Sequence, residues 1–305
     1  MRFMMIIKSD ERAEAGQLPS AELMTAMGNY NDELVKAGAL VGAEGLHPSK
    51  SGARLKLSGG KRTRTDGPFA EAKEVIAGYW IIDVASKDEA IAWAKRVPFE
   101  ADVEGCASGA RAEIEIRRLS ELDDFPADEN EQGSGWSEQE AAWRDAPPQS
   151  TLSPRNPALK RFFCMAMGDA DYEAGKLPDE KSLAAMGEYM GQQIESGVLL
   201  SGEGLCRTAE GAKVYFQNGV RMFTDGPFLE TKEIVGGFAT IQAESLEAAI
   251  EMGWDFLDVG SRFQPDVETR CEIRQVFDMS DFPAEFVAEA PGAFEAEQTL
   301  RGQAS

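Results

Sequence analysis

The sequence predicts an α+β fold written twice, and three observations carry the prediction. A strand, helix, strands, helix, strand order runs through residues 1–126. The same order returns through 160–284, and an offset of 159 carries most of the first run onto the second. Arg2-Phe3 falls on Arg161-Phe162, Leu18-Pro19 on Leu177-Pro178, Glu44-Gly45-Leu46 on Glu203-Gly204-Leu205, and Asp66-Gly67-Pro68-Phe69 on Asp225-Gly226-Pro227-Phe228. Toward the end of each copy the offset falls to 157, so Glu115-Ile116-Arg117 meets Glu272-Ile273-Arg274 and Asp124-Phe125-Pro126 meets Asp281-Phe282-Pro283. A chain of 305 residues has room for two cores of ordinary size.

Each element has its own signal. Phe3-Met4-Met5-Ile6-Ile7 is a short apolar run suited to a central strand, matched by Phe162-Phe163-Cys164-Met165-Ala166. Pro19-Ser20 starts a helix on which Leu23, Met27, Tyr30 and Leu34 recur near a period of 3.6, and Gly38 stops it. In the second copy Leu183, Met186, Met190 and Ile194 recur in the same way before Gly197. An extended Ala39-Leu40-Val41 follows, then Arg54-Leu55-Lys56-Leu57-Ser58, whose alternation marks a half-buried strand. Gly59-Gly60 turns the chain, and Lys61-Arg62-Thr63-Arg64-Thr65 returns as the hairpin partner. Tyr79-Trp80-Ile81-Ile82-Asp83-Val84 is a further strand. Ser86 caps a helix with Ala90, Ile91 and Ala94 inward, and Glu113–Arg117 alternates as the last strand.

This βαββαβ order is that of a ferredoxin-like domain. Its sheet carries helices on one face only, so the other face needs a cover. The expectation is that the two repeats pair sheet to sheet, as a pseudo-dimer of the dimeric α/β-barrel kind. The boundaries fall at 1–126 for the first domain and 160–284 for the second. Between them, 127–159 is a Pro-, Gly- and Ser-rich linker in which Trp136–Arg144 suits a short helical arm. The acidic C-terminal arm, 285–305, holds a counterpart at Phe294–Arg301.

Composition removes several functions. With 31 Lys and Arg against 53 Asp and Glu, the formal net charge is −22, which repels phosphate backbones and anionic lipid surfaces. Nucleic acid and membranes are therefore not expected partners. No apolar run approaches the roughly 20 residues that cross a bilayer, and no signal peptide is legible, so a cytoplasmic setting is expected. Cys106, Cys164, Cys206 and Cys271 stand singly and the chain has one histidine, so neither a metal site nor a disulfide framework is expected. Gly59-Gly60 is a turn without a Walker pattern around it, and no cofactor is implied.

The longest shared segments are Asp66-Gly67-Pro68-Phe69-Ala70-Glu71-Ala72-Lys73-Glu74 and Asp225-Gly226-Pro227-Phe228-Leu229-Glu230-Thr231-Lys232-Glu233. On these, and on Glu44-Gly45-Leu46, Gly78 and Glu115-Ile116-Arg117, the chain resembles the YCII-related, DGPF-type domain family over roughly 1–126 and 160–284. The resemblance implies ferredoxin-like domains in dimeric α/β barrels, a bacterial cytosolic setting and an association with sigma-factor regulation. It implies no settled activity. A His and Asp pair in a cleft has been proposed as catalytic in the wider family, and this chain departs from it: neither first helix holds a histidine. Its lone His47 lies in a loop, reads as solvated, and is replaced in the second copy by Cys206.

The candidate catalytic residues are Asp66 and Asp225, with Glu44, Arg62, Lys73, Glu203, Arg221 and Lys232 as ligand-binding candidates around a pocket near each motif. The plainer reading of each aspartate is an N-cap for a short helix, with Pro in its first turn and Glu71 or Glu230 on the helix dipole. Lys73 and Lys232 read equally as partners of Glu44 and Glu203 or of neighbouring carboxylates. Gly67 and Gly226 serve backbone geometry, while Phe69 and Phe228 fill core. Two functions remain: a small-molecule enzyme, lyase- or isomerase-like, or ligand binder taking a small polar or anionic molecule, and a non-catalytic regulatory module contacting a basic protein. Self-association of whole chains is compatible with either.

Overall fold

A computed structural model describes residues 1–70, 74–102, 111–121, 124, 152–176, 178–228, 234–262 and 267–289. The first copy comprises β1 (Arg2–Lys8), α1 (Glu11–Glu14), α2 (Ala21–Lys36), β2 (Leu40–Gly45), β3 (Gly52–Ser58), β4 (Lys61–Asp66), β5 (Ile76–Asp83), α3 (Lys87–Ala94) and β6 (Ala112–Arg118). The second comprises β7 (Lys160–Met167), α4 (Ala170–Glu173), α5 (Glu180–Glu195), β8 (Leu199–Gly204), β9 (Ala212–Gln217), β10 (Val220–Asp225), β11 (Val235–Ala243), α6 (Leu246–Ser261) and β12 (Thr269–Gln275), followed by α7 (Ala284–Glu289). The expected caps are in place, with Ser20 Oγ accepting from Leu23 N at 3.1 Å and Ser86 Oγ from Glu89 N at 3.2 Å. Three short helices among the described residues escaped the sequence reading: α1, capped by Asp10, and α4, capped by Asp169, each through the backbone N–H three residues on, and α7. The expected arms at Trp136–Arg144 and Phe294–Arg301 lie outside the described residues.

The protein is α+β, with two antiparallel six-stranded sheets of order β10-β9-β6-β1-β5-β2 and β4-β3-β12-β7-β11-β8. Each sheet takes four strands from one copy and a hairpin from the other. β3 pairs with β12 from Gly52↔Arg274 to Leu57↔Thr269, and β9 pairs with β6 from Ala112↔Phe216 to Ile116↔Ala212. The sequence reading kept each hairpin beside its own copy. The alternation of Ala53, Leu55 and Leu57 looks the same whichever sheet receives it, because a strand's inward face depends only on its period of two.

Burial explains why the exchange holds. Ala53, Leu55 and Leu57 enter one core with Ala249, Trp254, Leu257 and Ile273 of the second copy, and Val214 and Phe216 enter the other with Phe3, Ile91 and Ile114 of the first. A Cβ on Gly253 would stand 2.7 Å from both Leu55 Cδ1 and Ile273 Cδ1, so α6 lies directly on the received hairpin. A third cluster joins the two sheets: Met4, Ile6, Tyr79 and Ile81 meet Phe163, Met165 and Phe238. There the Tyr79 and Phe163 rings stack at 4.6 Å. Among the described residues no helix is long and apolar enough to cross a membrane.

Candidate functional site

The Asp-Gly-Pro-Phe segments are anchors. A Cβ on Gly67 would lie 1.8 Å from the Ser49 carbonyl oxygen, and one on Gly226 1.8 Å from that of Thr208, so only glycine lets the backbones pass. The Phe69 N–H donates to Ser49 Oγ at 2.9 Å and that of Phe228 to Thr208 Oγ1 at 3.2 Å. The same hydroxyls donate to Glu14 and Glu173, whose carboxylates also accept the Ser49 and Thr208 N–H groups at 3.0 and 2.9 Å. Phe69 is buried beneath the Arg54 guanidinium, 4.1 Å from its ring centre.

The aspartates beside these anchors face solvent. Asp66 accepts from Arg64 Nε at 2.6 Å, and Arg64 in turn forks onto both Glu247 oxygens on α6. Asp225 pairs with Lys87 on α3 at 2.7 Å. Residues 67–70 are not helical, so Asp66 caps no helix beginning there. The remaining candidates are spread over the surface and the sheet ends. Arg62 pairs with Asp258 at 2.5 Å, Arg221 with Glu100 at 2.6 Å, Glu203 with Arg2 at 2.5 Å and Glu44 with Arg161. Lys73 and Lys232 lie outside the described residues. Asp66 and Arg62 are thus not brought together around one pocket.

The Glu-Ile-Arg segments do converge. Arg274 is wholly buried; it donates to Glu272 Oε1 at 3.2 Å and to the carbonyl oxygen of His47, and lies 3.6 Å from Glu14. Burial lowers the pKa of this guanidinium, opposed by Glu272 and Glu14. Its counterpart Arg117 donates to Glu115 Oε1 at 3.1 Å, to the Tyr172 hydroxyl at 2.7 Å and to the Cys206 carbonyl at 2.6 Å. Burial would raise Glu115, but Lys8, Arg117 and Lys213 overcome it and hold the carboxyl at about 2. Each buried arginine thus fixes a loop of the opposite copy.

The loop fixed by Arg274 borders a cavity of about 730 Å³. Both copies build it: α1, α2 and the end of β2 supply one side, while the β9–β10 turn and the segment after β12 supply the other. Met24, Met27, Trp80, Phe99 and Phe216 give it apolar walls. Of the expected site residues that are described, Glu44 alone lines it. His47 lines it too, stacked on Phe277 at 3.9 Å, and its Nε2 lies 3.0 Å from Asp281 Oδ2. Asp281 is itself held by the Asp278 N–H at 2.8 Å. The solvated loop histidine of the sequence reading is therefore a positioned one, with 18% of its side chain exposed. Its partner lies 234 residues away, so spacing carried no signal of the pair. A carboxylate at Nε2 favours the tautomer protonated there, with Nδ1 as the acceptor; the Gln275 amide nitrogen also lies 3.4 Å from Nε2. Among the described residues no cluster of three or more His, Cys, Asp or Glu could hold a metal ion.

The YCII-related domain model matches residues 1–119 and again 162–255. The chain belongs to the YCII-related family. It is similar, 44% identical over 61 residues, to an uncharacterised protein of Rhizobium meliloti (strain 1021); the match covers 20% of this chain and 49% of the relative, so the chain spans about half the length of that curated relative.

The two YCII-related copies have diverged at this position. Where one site pairs His47 of the first copy with Asp281 of the second, the equivalent site pairs Cys206 of the second copy with Asp124 of the first, 3.7 Å apart. Burial pushes the Cys206 thiol up to about 11, with Arg118 opposing, so it stays protonated at neutral pH. Arg118 of the first copy stands where the second copy has Gln275, and it ties Asp124 at 2.5 Å to Glu210 at 2.8 Å.

Proposed function

We propose that this protein binds a small organic molecule in the cavity beside His47, and that His47, oriented by Asp281, transfers a proton to or from it. The supporting observation is the placement of the chain's one histidine, carboxylate-held, in the wall of a cavity large enough for a metabolite. An imidazole with a fixed tautomer moves a proton between two atoms of a bound molecule without a cofactor, which suits isomerase- or lyase-like chemistry. In this reading each copy is a ferredoxin-like unit with strand order β2-β5-β1-β6 or its equivalent, and the exchanged hairpins make a barrel-type pseudo-dimer that builds a cytosolic ligand site neither copy has alone.

Deuterium incorporation tests this while the substrate is still unidentified. A mixture of small metabolites is incubated with the protein in D2O and followed by mass spectrometry. A proton-transferring enzyme adds deuterium to at least one compound, and His47→Gln abolishes that labelling. Identical labelling by the wild type and His47→Gln, or none by either, overturns the reading.

A further inference from the structure

We infer that the cavity ligand is an organic anion, an apolar body carrying one acidic group, and that Lys50 reads its charge. This rests on the reading of the cavity as a ligand site. Most of the lining charges are already neutralised. Arg12 holds Asp102 through two bonds of 3.1 and 3.2 Å, Lys8 lies 3.4 Å from Glu115, Glu44 is taken by Arg161 and Glu100 by Arg221, while Asp281 keeps its charge and is held by hydrogen bonds from the His47 ring and the Asp278 N–H. Asp10 caps α1. Lys50 lines the same cavity, has no carboxylate partner among the described residues, and holds its Nζ 3.2 Å from where a Cβ of Gly16 would stand. Arg111, stacked 3.6 Å over Tyr215, adds a second cation without a carboxylate partner among the described residues.

The second copy shows what neutralising this corner looks like. There Arg207 lies over Gly175 as Lys50 lies over Gly16, but Arg207 faces Glu210 at 3.6 Å, and Glu210 also takes Arg118. The position of Glu210 is Ser51 in the first copy. In a chain with 53 acidic residues, the acid is replaced at a corner where a cation borders apolar walls. An incoming acidic group supplies it, whereas a cationic ligand would meet Lys50 and Arg111 as like charges. The ligand is accordingly bound once per chain.

Two fluorescent probes of similar shape test this: 8-anilino-1-naphthalenesulfonate, an aromatic anion, and N-phenyl-1-naphthylamine, its neutral analogue. The anion is expected to bind tighter, at one per chain. Lys50→Ala weakens it about tenfold and leaves the neutral probe unchanged, while Lys50→Arg restores it. Met27→Trp, which fills the cavity, weakens both. If both probes bind equally and Lys50→Ala changes neither, the charge assignment is overturned while the cavity stands. If neither probe binds, or Met27→Trp changes neither, the cavity reading fails and this inference with it.

Discussion

Arg274, buried in the second copy, donates a hydrogen bond to the carbonyl oxygen of His47 in the first. The loop bearing the candidate catalytic side chain is therefore held by a cation from the opposite half of the chain, and that cation is held by Glu272 and Glu14. Removing the guanidinium leaves Glu272 with Arg54 as its remaining cation and Glu14 with its hydrogen bonds from Ser49 but no cation among the described residues.

Arg274→Met is accordingly expected to destabilise the protein by about 3–5 kcal/mol in urea unfolding. Arg155→Ala, an exposed-rim comparison, should cost under about 1 kcal/mol, because its ion pair with Asp278 spans 3.5 Å at partly exposed side chains. Equal losses from the two variants would contradict the buried network.

Glu115 gives a pH dependence of definite sign. Its carboxyl is held at about 2 in the folded protein, below the ordinary glutamate value of 4.5. The folded state therefore binds this proton less readily than the unfolded state. The stability it contributes is complete above about pH 5 and is lost as pH falls toward 2. Glu115→Gln should be less stable than wild type at pH 7, and the gap should shrink steadily between pH 5 and pH 2. A gap independent of pH would show that the charge on Glu115 contributes nothing.

Gly67→Ala and Asp66→Asn separate the two halves of one motif. The alanine Cβ would meet the Ser49 carbonyl oxygen at 1.8 Å, so a loss of at least about 1–3 kcal/mol is expected. Asp66 is 63% exposed and bound to Arg64 two residues away, so its amide variant should stay within about 0.5 kcal/mol of wild type. Differential scanning calorimetry of both variants decides it; a marked loss in Asp66→Asn would return that aspartate to a central role.

Much of the fold was legible in the sequence because it is local. Ser20 and Ser86 cap where their spacing says they should, and Tyr79–Val84 reads as a buried strand at sight. The hairpin exchange was not legible, since Leu55 and Leu57 point inward in either sheet. Asp66 attracted attention because two copies kept it, yet it was kept beside a glycine whose need is steric. His47 reads as solvated from the sequence because its partner Asp281 and its anchor Arg274 come from the far copy, and a loop position gives no hint of either.

The single histidine makes the central claim directly measurable, since its imidazole nitrogens are the only ones in the chain. In 15N-histidine-labelled protein at pH 8.5, two-bond 1H–15N correlation spectra should show Nε2 protonated and Nδ1 bare, and Asp281→Asn should release that preference. A tautomer with Nδ1 protonated, or one unchanged by Asp281→Asn, would contradict the positioned His47–Asp281 pair on which the account rests.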